Sequence, residues 1–114
     1  MANFKTDVKI SDDTINMIAG IAATSVDGVS ALGEGETFKM IPFLNSSNLQ
    51  KGILVEKNEN DDTINIVVTI AIKEGVEIKP TCRNVQEKVK EAIESMLNMK
   101  VREVSVRVAK VNDI

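Results

Sequence analysis

The chain contains no histidine, no tryptophan and no tyrosine, and a single cysteine, Cys82. Each absence excludes something. Histidine is the usual general base near neutral pH and the commonest metal ligand, so most catalytic and metal-binding designs have no candidate residue here. Without tryptophan and tyrosine there is little to stack nucleic-acid bases or to anchor an interface. One cysteine cannot close an intramolecular disulfide, which fits a reducing compartment. No apolar run approaches the length of a membrane span. The N-terminal Met1-Ala2-Asn3-Phe4-Lys5 lacks the apolar core of a signal peptide. These features predict a cytoplasmic protein with no catalytic residues, no metal and no cofactor.

What is present is aliphatic. The chain has 114 residues, which predicts one domain over residues 1–114. Valine and isoleucine supply most of the apolar side chains and favour strands. Phe4, Phe38 and Phe43 are the three aromatics. The formal net charge of −3 disfavours nonspecific binding to phosphate backbones. Charge is unevenly spread. Residues 1–72 carry 5 Lys/Arg and 10 Asp/Glu, whereas residues 73–114 carry 9 Lys/Arg and 7 Asp/Glu. Two differently charged surfaces explain this, and head-to-tail association is the sharper reading.

Residues 6–10 alternate as a short strand, with Val8 and Ile10 on one face. Ser11 then has the character of a helix N-cap, with Asp12 and Asp13 in the first turn where the helix dipole favours anions. Ile15, Ile18, Ala19, Ala22 and Val26 follow helical spacing, and Gly28 is placed to end the helix. Residues 29–32 form a short extended piece. No period holds from Gly33 to Gly52, which reads as a long loop. Residues 53–57 and 63–73 are strands joined by the turn Asn58-Glu59-Asn60-Asp61-Asp62, with Ile64, Ile66, Val68, Ile70 and Ile72 on one face. Pro80 and Thr81 open a second helix with the apolar stripe Cys82, Val85, Val89, Ala92, Ile93 and Met96. Asn98 is its left-handed C-terminal residue. A last strand runs from Val101, with Val104, Val106 and Val108 pointing inward. The expected fold is α+β: a two-layer sandwich in the order (β)αββαβ. Two helices pack on one face of a three- to four-stranded, mostly antiparallel sheet.

Few motifs suggest chemistry, and each has a plainer explanation. Gly33-Glu34-Gly35 lacks the later glycine and the Lys-Ser/Thr pair of a phosphate loop. Asn58-x-Asn60-x-Asp62 has calcium-loop spacing, but Thr63 replaces the required glycine and Thr69 the terminal glutamate. A hairpin turn accounts for it. Cys82 lies on an apolar stripe, where cysteine acts as a small hydrophobe. Lys79, Arg83, Lys90, Lys100, Arg102, Arg107 and Lys110 read as solvated faces, because the central strands lack the aromatics of RNA-binding sheets.

The patterns Val8-Lys9-Ile10-Ser11-Asp12-Asp13, Val26-Asp27-Gly28-Val29 and Lys51-Gly52-Ile53-Leu54-Val55 recur in a known family. So do Ile70-Ala71-Ile72-Lys73-Glu74-Gly75, Val85-Gln86-Glu87-Lys88-Val89 and Val101-Arg102-Glu103-Val104-Ser105-Val106-Arg107-Val108. On these residues the chain resembles the bacterial alkaline shock protein family, also described as envelope stress response proteins, along nearly its whole length. The resemblance implies a non-enzymatic bacterial protein of cell-envelope homeostasis or stress response, with no catalytic residues to transfer. It implies a cytoplasmic scaffold or adaptor that self-associates or docks on an integral membrane partner, peripheral to the inner face of the membrane. The alternative is a regulatory partner of an enzyme of fatty-acid or lipid metabolism. A nucleic-acid-binding module is the remaining possibility, and no nucleic acid is expected as a partner.

Two candidate partner-binding surfaces follow from the residues themselves. The outer sheet face carries Val67, Ala71 and Arg107 where a solvated sheet would carry long charged side chains. The 33–52 loop carries Phe38, Met40, Ile41, Phe43 and Leu44. It either caps the open end of the core or presents an apolar patch to a partner.

Overall fold

Ser11 starts the first ordered element. Its backbone is extended, its hydroxyl accepts from the Thr14 amide at 3.2 Å, and helix α1 follows over Asp12–Thr24. The protein is described here from a computed structural model, over residues 10–33 and 52–112. The expected strand at 6–10 and the loop residues Phe38, Met40, Ile41, Phe43 and Leu44 lie outside the described residues; Ile10 itself is half-buried and not in a strand.

Three strands come next: β1 (Val29–Leu32), β2 (Ile53–Asn58) and β3 (Thr63–Lys73), then helix α2 (Ile78–Leu97) and strand β4 (Lys100–Asn112). The order is αβββαβ, an α+β arrangement of two helices and a four-stranded sheet. β3 is the hub. β2 pairs with it antiparallel from Ile53↔Val68 to Asn58↔Thr63, and β1 pairs antiparallel through Leu32↔Ile70 and Ala31↔Ala71. β4 pairs with β3 in parallel along its whole length. A strand has two edges, so β1 and β2 lie end to end on the edge of β3 that β4 does not occupy. Gly33 and Gly52 meet at the join. The Gly33 amide donates to the Thr69 carbonyl at 2.7 Å, and a Cβ on Gly52 would stand 2.7 Å from the Gly33 nitrogen.

The helices cover the face of β3 that carries Ile64, Ile66, Val68, Ile70 and Ile72, all essentially inaccessible. Ile15, Ala19 and Ala23 of α1 and Val85, Val89 and Ile93 of α2 complete one core with them. Val106 packs against it half-buried.

Several local expectations change. α1 stops at Thr24, before Gly28, because the Thr24 and Ser25 hydroxyls donate to the Gly20 and Ala22 carbonyls and close its last turn. Gly28 serves instead at φ 99° in the turn to β1, where a Cβ would meet Val76 Cγ1 at 2.7 Å. α2 begins at Ile78, two residues before Pro80. Proline is tolerated in a first turn because the amides there have no intrahelical acceptor. Asn98 is left-handed at φ 55°, as its position after the helix requires.

β4 starts at Lys100 rather than Val101, and its pairing skips at Arg102 and again at Ala109. Val108 sits opposite Ile70 on the helix-facing side, yet it is 36 % exposed. The reason is the length of α2. Gln86 lies beside Val104, and the eight residues back to Ile78 rise roughly 12 Å, or three to four strand residues. The helix therefore ends near Val108 and leaves it and Val111 uncovered.

Candidate functional site

The outer face of the sheet brings together side chains from three strands. Val67 and Thr69 of β3 stand opposite Ser105 and Arg107 of β4, and Leu54 of β2 stands opposite Val67. Val67 is half-buried and Arg107 exposed, so both are on the surface in one patch. Ala71 shares their face but is fully buried, so it has no surface to offer a partner. Leu54 is a further member that the sequence reading missed. It is 56 % exposed, and its position in the β2 alternation, across from Val67, was the available signal.

The helix layer holds a second surface. α1 and α2 run antiparallel, with Ser25 near Lys88 and Ile18 near Ser95 and Met96. Between them lies a groove of about 310 Å³. Its floor is Ile18, Ala22 and Ala92, and Lys88, Glu91 and Ser95 form its rim. Ile21 is 63 % and Met96 68 % exposed at its edges. Met96 was expected on the buried stripe of α2. Ile93 is the last buried residue of that stripe, and Met96 stands exposed at the edge of the groove.

Groups with reactive potential are spent on structure. Cys82 is half-buried against the core, and burial pushes its thiol above the ordinary value, away from the thiolate a nucleophile needs. In the turn after β2, Asp61 Oδ1 accepts from the Thr63 hydroxyl at 2.7 Å, and the Asn58 side-chain amide donates to that same hydroxyl oxygen. The Thr63 hydroxyl is the main cause that lowers the Asp61 pKa, and the nearby Arg102 charge adds to it. Asp62 takes a left-handed conformation at φ 57°, so the spacing that resembled a calcium loop builds a tight hairpin. Among the described residues no group of three Cys, Asp or Glu side chains is arranged to hold a metal ion. Asn16 on α1 is only 6 % exposed, and its side-chain oxygen has no hydrogen-bond partner. No helix among the described residues is long and apolar enough to cross a membrane.

Comparison with known proteins decides the family. The family model for alkaline shock protein 23, described as a family of cell envelope-related function, matches residues 1–113. The chain belongs to the alkaline shock protein 23 family. Relatives in two bacteria agree with this. The uncharacterized Bacillus subtilis (strain 168) protein YqhY is 30 % identical over 101 residues, covering 89 % of this chain and 73 % of the relative. The uncharacterized Streptococcus pyogenes serotype M6 protein Spy1535 is 28 % identical over 102 residues, covering 90 % and 76 %. A second protein of that organism, Spy1614, is 31 % identical over 103 residues, covering 89 % and 84 %. No solved structure matches the chain. The family assignment matches the alkaline shock resemblance carried by the sequence patterns, and it gives the protein a cell envelope-related function in general terms.

Proposed function

We propose that this alkaline shock family protein is a non-enzymatic scaffold or adaptor of cell-envelope homeostasis, which docks a membrane-held protein partner through the groove between α1 and α2. The observation that carries the reading is the pair Ile21 and Met96. Both are large apolar side chains more than half exposed, on the two lips of one groove with a polar rim. Exposed apolar side chains gathered around a groove with polar edges mark protein contacts, and an amphipathic helix laid between two helices is a common occupant. The elevated Cys82 thiol and the structural use of Asp61 and Asn58 support a role without catalysis.

The test is capture from the membrane fraction of the native host by the tagged full chain, compared with an Ile21→Glu variant. The reading expects a membrane protein retained by the wild type and lost by the variant, with the melting temperatures of the two chains unchanged. Capture of the same protein by both chains overturns the groove as the docking site. Capture of a soluble lipid-metabolism enzyme, with no membrane protein, supports the regulatory alternative.

A further inference from the structure

An oxidant that meets this chain finds few targets. There is no histidine, tryptophan or tyrosine, so its oxidisable side chains are Cys82 and five methionines. Susceptibility of sulfur follows exposure and, for cysteine, the thiolate fraction. Cys82 is poorly placed on both counts. It is half-buried, it packs against the core, and burial raises its thiol pKa.

Among the described residues three methionines differ in access. Met99 packs half-buried against the core. Met17 is 49 % exposed on α1 and does not line the groove between the helices. Met96 is 68 % exposed, the most open of the three, and stands on the groove lip that α2 supplies. Its apolar neighbours there, Ile18, Ile21, Ala22 and Ala92, carry saturated hydrocarbon that is inert to the same reagents. Met96 also stands apart from the fold. Ile93, one turn earlier, is the last buried member of the α2 stripe, and Met96 takes no part in the core cluster. An oxygen atom added to its sulfur meets solvent, and the core is left as it was.

We propose that Met96 is a reversible oxidation site, at which hydrogen peroxide closes the groove between α1 and α2 to its partner; this rests on the docking reading of that groove. In the step, a lone pair of the Met96 sulfur attacks one peroxide oxygen. The S–O bond forms as the O–O bond breaks. The departing hydroxide takes the proton of the transferred hydroxyl and leaves as water, and the thioether has given two electrons to the peroxide. The product sulfoxide is polar and chiral where the thioether was apolar. A docked apolar side chain would strip water from the new oxygen, which is unfavourable unless a donor replaces it. The groove rim offers none nearby. The Ser95 hydroxyl already donates to the Glu91 carbonyl at 2.7 Å, and Lys88 lies about 12 Å back along α2. Methionine sulfoxide reductases reverse the change. A dithiol is then oxidised to a disulfide, and the oxygen leaves as water.

Peroxide treatment of the full chain followed by peptide mass spectrometry tests the site. One added oxygen should appear on Met96 before Met17 and Met99, with Cys82 still a thiol and the circular dichroism unchanged. In methyl-labelled protein the NMR signals of Ile18 and Ile21 should shift with that oxidation, while those of Ile66 and Ile70 stay in place. The membrane protein that the wild type retains should be lost from the oxidised chain and regained after methionine sulfoxide reductase treatment. Met96→Leu fills the lip without the sulfur and should retain that protein before and after peroxide. Oxidation of Met17 or Met99 ahead of Met96 overturns the inference, as does unchanged capture by a chain oxidised at Met96. Loss of capture by peroxide-treated Met96→Leu also overturns it, because another sulfur is then responsible. Loss of helical circular dichroism on Met96 oxidation overturns it as well, since the change is then damage to the fold. The two readings fail separately. Capture that Ile21→Glu abolishes and Met96 oxidation spares removes the switch alone, whereas capture that Ile21→Glu spares removes the groove reading and the switch with it.

Discussion

Successive residues of β3 serve two different surfaces. Ile64, Ile66, Val68, Ile70 and Ile72 face the helices and are closed off from solvent, whereas Thr63, Asn65, Val67 and Thr69, one residue out of phase, are half-buried on the outer face. The helix-facing side is uniform in chemistry and fixed by packing. The outer side is short and mixed, and only Ala71 on it is closed off. A period of two therefore separates the part of this strand that specifies the fold from the part that is available to partners.

The contrast can be broken residue by residue. Ile70→Ala removes a fully buried side chain from the helix-facing side and should cost about 2–5 kcal/mol in denaturant unfolding. Ala71→Leu, on the adjacent residue, tests the exception. If the closed position on the outer face has no spare room, overpacking should cost about 1–3 kcal/mol. Val67→Lys should change stability by no more than about 0.5 kcal/mol, as a surface substitution does. A large loss there would show that the outer face is packed like the inner one.

The smallest effect concerns the turn that leads into β3. Asp61 is held ionised to lower pH by Thr63, so its contribution to stability is present above the usual carboxylate pKa and is lost as pH falls through the lowered value. Thr63→Val should return the Asp61 titration, followed by NMR, toward the ordinary carboxylate value and narrow that window.

Much of this arrangement is legible in the chain because it is local. The alternation of β3, the Ser11 cap, the hairpin at residues 59–62 and the left-handed Asn98 are each set by neighbouring residues. What is not local is not legible. The extra residues Arg102 and Ala109 in β4 become visible only against β3. The exposure of Val108 depends on where α2 ends over the sheet, and that of Met96 on how the two helices pack. Of the outer-face candidates, Val67 and Arg107 share a patch as their alternation implied, while the burial of Ala71 and the presence of Leu54 required the pairing with neighbouring strands. The groove between the helices was missed because Ile21 and Met96 belong to separate helices, and no spacing within either one connects them.

The meeting of Gly33 and Gly52 over Thr69 makes β1 and β2 topologically one strand, opened at a single seam. A guest sequence spliced at such a seam enters and leaves at the same point, so its length is nearly decoupled from its host. Doubling it raises the closure cost by only about 0.6 kcal/mol. The chain leaves the sheet at Gly33 and re-enters it at Gly52, at that one seam. The seam itself is intolerant. A methyl group on Gly52 would lie 2.8 Å from the Thr69 carbonyl oxygen as well as against the Gly33 nitrogen, so a single added carbon there forces the backbone of the seam to shift.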